Sequence, residues 1–390
     1  MDISLLKRNL LPPNKVSYFL FGPRLTGKST LTMNLYSPER TLSYDLLDNS
    51  IVTDLTLNPG KLYREIKASN PKIDTVIIDE IQKIPQLLDE VQICMRDFPH
   101  IQFVLCGSST RKLKRMHANL LGGRASTCHL GPLTLNELGS RFDLTKALDV
   151  GTIPKIYLSE RKDAVAILRG YVDTYLQEEI RQEALVRNLG IFGSFLTLAG
   201  RESGSILNYS GLAGDLSIDY KTVQGYFEIL NDTLLIRILP AFRSSLRKKL
   251  AKHPKYYFFD TGVLRTLRKE LTLVVQSGQT SYGNLFEHFV VNELMMMNEY
   301  GKKDLIFSFY REHSGVEVDL IIEHPNGMMT AVEIKGKSRI SQDDLKGLKA
   351  FHDSFPKARL FLIKPDGRRE SFGDVTVLPC TQMREVLEEG

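Results

Sequence analysis

The run FLFGPRLTGKST at residues 19–30 constrains this chain more than any other segment. It fits the pattern G-x-x-x-x-G-K-[ST] at Gly22, Gly27, Lys28 and Ser29, follows an apolar strand-like stretch and opens a helix-like one. That context is what separates a phosphate loop from a glycine-rich turn. Glycines let successive backbone N–H groups turn inward on an anion, and the first turn of the following helix adds a favourable dipole. Lys28 supplies a point charge for the β- and γ-phosphates, and the Ser29 hydroxyl suits Mg²⁺. The expectation is an ATP–Mg²⁺ site wrapped by Gly22, Pro23, Arg24, Leu25, Thr26, Gly27, Lys28, Ser29 and Thr30.

The other half of such a site is TVIIDEIQ, where an apolar run ends in Asp79 and Glu80. A buried strand delivers both carboxylates to its C-terminal end, where α/β folds bind ligands. Asp79 is placed to hold Mg²⁺, and Glu80 to polarise an attacking water, a pairing that favours hydrolysis over transfer to a small molecule. Next, FVLCGSST ends an apolar strand in Ser108 and Ser109, either of them a candidate for contact with the γ-phosphate or the attacking water. Arg111 and Arg124 follow, and Arg124 is the candidate finger supplied to a neighbouring subunit's phosphates.

At 390 residues the chain is too long for a single core. With 42% hydrophobic and 25% charged residues it has the composition of a globular protein, and a net charge of +5 does not by itself imply nucleic acid. Cys94, Cys106, Cys128 and Cys380 form no C-x-x-C pair and no His cluster lies near them, so buried reduced thiols are expected rather than zinc or disulfides. No apolar run approaches the ~20 residues of a membrane span, and the N-terminal stretch lacks a secretory pattern. The expected location is the cytoplasm.

Short apolar runs at 17–21, 41–46, 75–78 and 101–106 alternate with helix-like stretches, which indicates a parallel sheet covered on both faces. The pattern turns helical from about residue 169. Val223, Tyr226, Phe227 and Leu230 recur at helical spacing behind Asp219, a good N-cap, while Lys221, Thr222 and Gln224 face outward. Strand-like runs follow at 234–241 and 256–259. Between them lies a loop, residues 243–255, with Arg243, Arg247, Lys248, Lys249, Lys252 and Lys255 and no acid. Two helices and a hairpin suggest a winged helix whose basic loop meets the phosphates of double-stranded DNA.

A third block starts near residue 277, with a helix over 285–299 and strands at 306–309, 317–322, 328–334 and 360–363. On the helix, Glu287 shares a stripe with Val290, Val291 and Leu294, so a carboxylate faces the core side. Asp319 sits inside an apolar strand; Glu333 and Lys335, two apart, share one face of the next strand across a hairpin at 324–327. Asp319 and Glu333 as Mg²⁺ ligands, with Lys335 beside them, make the D…E-x-K arrangement of the restriction-endonuclease-like, PD-(D/E)xK, superfamily.

Taken together, GPRLTGKST, VIIDEIQ, YLQEEIRQEALVRN, the run from NYSGLAGDLS to TVQGYFEILNDTLL, YYFFDTGV, YGNLFEHFVVNEL, SGVEVDLII and VEIKG resemble the prokaryotic ATP-binding proteins that join an AAA-type ATPase domain to a C-terminal domain of unknown function. The likeness runs almost end to end. It implies an α/β chain with a P-loop AAA-type domain over residues 1–165, a helical and winged-helix domain over 166–275 and a nuclease-like domain over 276–390. The family usually has Gln where this chain has Leu25, a departure at a side chain that is not a phosphate ligand.

Two functions compete. One is a DNA-acting ATPase with a Mg²⁺-dependent cut at Glu287, Asp319, Glu333 and Lys335. The other is an ATP-driven switch or remodeller that binds a protein partner and keeps the nuclease-like fold as scaffold. A small-molecule kinase fits poorly, since it needs neither the Asp79–Glu80 pair nor the added domains. An arginine acting in trans implies a homo-oligomer.

Overall fold

The computed structural model describes residues 6–109, 121–176, 188–242, 253–312 and 314–389. Arg111 and, in the basic loop, Arg243, Arg247, Lys248, Lys249 and Lys252 lie outside them. The chain divides into two compact units: Met1–Pro132 with Glu228–Leu235, and Leu133–Phe227 with Ile236–Gly390.

The first unit is built on five parallel strands: β1 (Tyr18–Phe21), β2 (Thr41–Asp45), β3 (Thr75–Asp79), β4 (Gln102–Gly107) and β5 (Ser126–His129), in the order β2-β3-β4-β1-β5. Every residue of β1 and β4 is buried. This is why both read as unbroken apolar runs rather than alternating ones. Helices α1 (Lys28–Leu35), α2 (Asn49–Leu57), α3 (Lys61–Ser69) and α4 (Leu87–Asp97) lie between strands. Phe19, Phe21, Ile78, Val91, Phe103 and Leu105 share one core. The expected parallel sheet is present, with an added strand. β5 escaped the sequence because its four residues, STCH, bury only Cys128. All four cysteines are free and buried, as expected.

The second unit opens with short helices α5 (Leu135–Leu138), α6 (Leu144–Val150), α7 (Pro154–Tyr157) and α8 (Arg161–Gly170), then α9 (Leu189–Glu202), α10 (Tyr209–Leu216) and α11 (Tyr220–Asp232), the last turn of which counts with the first unit. Asp219 caps α11 through the amides of Lys221 (2.8 Å) and Thr222 (3.3 Å), as its position predicts. Val223, Tyr226, Phe227 and Leu230 are buried; Lys221 and Thr222 are exposed, and Gln224 is partly so. Phe195 meets Tyr226 at 5.0 Å with tilted rings, and Phe195–Phe227 at 5.1 Å and Phe227–Tyr256 at 4.8 Å pack ring edge to ring face. Strands β6 (Ile236–Leu239) and β7 (Lys255–Phe258) pair antiparallel. β6 starts later than residue 234 because Leu234 takes a left-handed conformation, φ 60°, which no strand accommodates.

Next come α12 (Thr261–Leu267), α13 (Thr280–Gly301), β8 (Ile306–Arg311), β9 (Glu317–Glu323), β10 (Met329–Ile334), α14 (Lys346–Ser354), β11 (Arg359–Lys364), β12 (Glu370–Phe372) and β13 (Val375–Pro379). The six strands form one mixed sheet ordered β12-β13-β11-β10-β9-β8. The expected hairpin is present, with Glu323 opposite Met329 and the Gly327 amide on the His324 carbonyl. The sequence omitted α14, β12 and β13. Each is short, and α14 buries only Leu348 and Phe351.

Asp260 ties this unit together. Its carboxylate caps α12 at the Val263 amide (3.0 Å) and accepts from the Thr152 amide (2.7 Å). The neighbouring Thr261 hydroxyl donates to the Ala147 carbonyl. Glu293, on α13, is almost wholly buried and accepts from the Leu135 amide at 2.9 Å. Burial pushes its carboxyl up from 4.5 to about 8. The fold therefore binds the proton more tightly than the unfolded chain, so its stability falls as pH rises from about 4.5 toward 8. Glu293→Gln keeps the acceptor for Leu135 and removes the charge. In urea titrations it is expected to leave stability at pH 5 nearly unchanged and to raise it at pH 8.5 by on the order of 2 kcal/mol. Equal stability of variant and parent at pH 8.5 would remove Glu293 as a source of the slope.

Candidate nucleotide site and a second carboxylate centre

The first site forms because β4 lies between β1 and β3, so the loops that follow all three strands meet at one edge. Gly22 opens the phosphate loop with its amide on the Gly107 carbonyl at 3.3 Å. A Cβ there would stand 2.3 Å from the Leu130 carbonyl oxygen, so only glycine fits. Gly27, at φ 94°, turns the chain into α1. No side chain caps that helix and no acid stands in its first turn, which leaves its end electropositive for an anion. Between the two glycines the Thr26 hydroxyl donates to the Pro23 carbonyl at 2.8 Å. Leu25 is exposed and sits at φ 63°. Arg24 and Thr30 are partly buried.

Lys28 is buried and donates to the carbonyls of Gly22 (2.7 Å) and Pro23 (3.2 Å), so its ammonium is held over the loop. The Ser29 hydroxyl donates to Asp79 Oδ2 at 2.8 Å, and Asp79 Oδ1 accepts from the Glu80 amide at 3.0 Å. Two oxygens from residues fifty positions apart thus meet at the helix end, a donor set that suits a hard cation such as Mg²⁺. Glu80 is buried, with φ 56°. Its carboxylate accepts from the Gln82 side-chain amide, which also donates to the Ser108 hydroxyl at 3.1 Å. Ser109 is buried beside it and its hydroxyl reaches the Asp232 carbonyl at 3.5 Å. Arg124 is exposed on the turn leading into β5.

Sequence reasoning missed Arg8 and Gln82 here. Arg8 is buried, and its guanidinium donates to the carbonyls of Thr26 (2.6 Å), Gly131 (2.8 Å) and Pro132 (3.1 Å), fixing the phosphate loop from below. One arginine in an N-terminal stretch carries no local signal for that role. Gln82 was visible in the DEIQ run but not as a contact across to β4.

The second centre lies wholly within the second unit. Glu287 comes from α13, Asp319 from β9 and Glu333 from β10, with Lys335 just after it. These four side chains lie within electrostatic reach of one another. The Ile334 amide donates to Asp319 Oδ2 at 2.8 Å, and the Lys335 ammonium binds Glu333 Oε1. Glu333 Oε2 is buried without a partner. Two residues from β7 join them: Tyr257, which the sequence did not suggest, and Lys255, which was expected in the basic loop over 243–255 but is buried at the start of the strand because its ammonium is drawn to carboxylates. Tyr257 donates to Glu287 Oε1 at 2.8 Å, and Lys255 sits 2.5 Å from Glu317 and 3.7 Å from Glu287. Burial, reinforced by Asp319, pushes the Glu287 carboxyl up to about 7 and that of Glu333 up to about 8. Burial works against the Lys335 charge, but Asp319 and Glu333 outweigh it and raise its pKa to about 12. The unpaired Glu333 oxygen beside Asp319 suits a cation. Among the described residues, however, no three His, Cys, Asp or Glu side chains form a ready-made ion cage. The carboxylates are instead pinned to a lysine, a tyrosine and an amide.

Residues 14–139 match the family described as AAA domain, residues 141–273 a Domain of unknown function (DUF8612), and residues 282–383 a Domain of unknown function (DUF4143). The chain joins an AAA-type ATPase domain to a C-terminal domain of unknown function, the family its motifs resemble. It is 24% identical over 366 residues to an uncharacterized protein of Mycobacterium tuberculosis, covering 93% of this chain and 80% of that one. An uncharacterized protein of Haemophilus influenzae is 22% identical over 300 residues, covering 70% of this chain and 73% of that one. Domain III of the Thermotoga maritima replication initiation protein DnaA aligns with 55% of this chain and 83% of its own at 14% identity, with a TM-score of 0.25, too loose to bear on the fold. No helix among the described residues is long and apolar enough to cross a membrane.

Proposed function

We propose that this protein is a Mg²⁺-dependent ATPase that hydrolyses ATP to ADP and phosphate and couples turnover to double-stranded DNA. The observation that carries the proposal is the meeting of Ser29 and Asp79 at the uncapped end of α1, beside the buried Lys28. Residues 22–30 hold the phosphates, Ser29 and Asp79 hold Mg²⁺, and Ser108 meets the γ-phosphate. A Mg²⁺ ion held there would supply positive charge against that developing on the transferring group. Glu80 orients and polarises the attacking water. Arg124 serves a neighbouring subunit's site in a homo-oligomer.

The DNA-binding part of the proposal rests on α10, α11 and the β6–β7 hairpin, a winged-helix order, with Lys221 and Thr222 exposed on α11 and with the basic residues Arg243, Arg247, Lys248, Lys249 and Lys252 in the sequence between the two strands. In this assignment residues 1–165 turn over ATP, 166–275 engage DNA and 276–390 carry a nuclease-like centre, all in the cytoplasm. The test is Mg²⁺-ATP hydrolysis with and without double-stranded DNA. Wild-type turnover should rise with DNA, and Glu80→Gln should cut it by about 10²-fold or more while leaving ATP bound. Turnover indifferent to DNA would overturn the coupling.

At the C-terminal centre, Asp319 and Glu333 would hold the metal, Lys335 would meet the phosphate and Glu287 would complete the carboxylate set. Asp319→Ala is expected to abolish Mg²⁺-dependent DNA cleavage and to spare ATP turnover; cleavage by that variant would sink the assigned centre. The internal pairing of Glu287 with Tyr257 and of Glu333 with Lys335 favours a second reading. In it the protein is an ATP-driven switch for a protein partner, and the centre is structural.

A further inference from the structure

Gln82 touches both Glu80 and Ser108 without belonging to the phosphate loop or the metal set. It sits on the single turn Ile81–Lys83 that follows β3 and is 6% exposed. Its side-chain N–H groups donate to Glu80 Oε2 and to the Ser108 hydroxyl at the end of β4. Room for the amide exists only because position 107 is glycine: a Cβ there would lie 2.4 Å from Gln82 Oε1.

Two consequences follow from this geometry. A carboxylate oxygen that accepts from an amide has that lone pair occupied and not free for a water. Glu80 is moreover buried toward Gln82, at the end of a backbone held at φ 56°. The same amide leaves its own Oε1 buried with no donor. Buried acceptors are satisfied as a rule, and an orphaned one raises the energy of the arrangement that contains it. The contact therefore restrains Glu80 in an arrangement that a ligand can displace at modest cost.

Resting on the reading of Glu80 as the residue that polarises water, we propose that Gln82 is a positioning residue that latches Glu80 away from the attacking water until a terminal phosphate engages Ser108. Ser108 is the second anchor of the amide, so a phosphate that draws this hydroxyl toward itself pulls Gln82 off Glu80. Only a nucleotide with a γ-phosphate then frees the carboxylate.

The test is the single-turnover rate of ATP cleavage in the full-length protein with Mg²⁺, for wild type and Gln82→Met, which keeps the side-chain length and loses both N–H donors. The rate should rise by about threefold to tenfold with the concentration for half-saturation by ATP unchanged, a gain confined to the water-activating step. A purely structural Gln82 would give a slower, less stable enzyme. Gly107→Ala, which pushes the amide aside without removing it, should raise the rate too, and it serves where Gln82→Met does not fold. A rate that falls or stays level in the folded variants, while Glu80→Gln is inactive, overturns the latch. Full activity of Glu80→Gln overturns instead the assignment of Glu80 on which it rests.

Discussion

Lys28→Ala is expected to remove ATP turnover by at least about 10²–10³-fold and to weaken ATP binding, because it deletes a preorganised positive charge from a water-poor site. The lysine is buried, and its ammonium is anchored on the carbonyls of Gly22 and Pro23. A phosphate entering the loop meets a cation that needs little reorganisation to reach it. Lys28→Arg should fare little better. A guanidinium is broader, is planar and is not a compact point charge, and the pocket between the two carbonyls is shaped for an ammonium. Fluorescence titration with a labelled ATP analogue separates the two losses. Unchanged affinity and turnover in Lys28→Ala would disprove the phosphate-loop assignment itself, whatever the later domains do.

Gly262→Ala is expected to destabilise the second unit by about 3 kcal/mol or more. The added Cβ would lie 2.1 Å from the Val150 carbonyl oxygen and 2.9 Å from the Gly151 amide nitrogen, backbone atoms that cannot rotate away. Gly151 has no slack to offer, since it sits at φ 76° with the Asp260 carboxylate pressed against it. The control is Gly214→Ala on α10, where nothing lies within 4 Å of the new atom. There the same substitution should stabilise by about 0.5–1 kcal/mol, the ordinary helix preference for alanine over glycine. Thermal unfolding of both variants reads the contrast. A Gly262→Ala protein that melts with the wild type would mean that α12 does not pack on the turn after α6 as described.

YYFFDTGV stands out as a motif, and motifs invite functional readings. The structure gives its residues structural work: Asp260 caps α12 and holds Thr152, Thr261 reaches Ala147, and Gly262 lets two backbones touch. Tyr257, two residues before the phenylalanine pair ends, has a different task and orients Glu287.

What the sequence determined by itself is local or periodic. The phosphate loop is legible because its chemistry is confined to nine consecutive residues whose backbone needs glycines at fixed places. Asp79 and Glu80 are legible because a buried parallel strand reads as an apolar run and must end in something polar. The β9–β10 hairpin and the α11 face are legible for the same reason, a period of two or of 3.6 written into neighbouring side chains. Tertiary structure alone decided the contacts between segments with no shared period. Arg8 reaches Thr26 and residues 131–132, Gln82 bridges β3 to β4, and Lys255 and Tyr257 enter the carboxylate centre from another hairpin. A single polar residue can be recognised as a partner only when the fold has set its distance and shut out the water that would otherwise take its hydrogen bond.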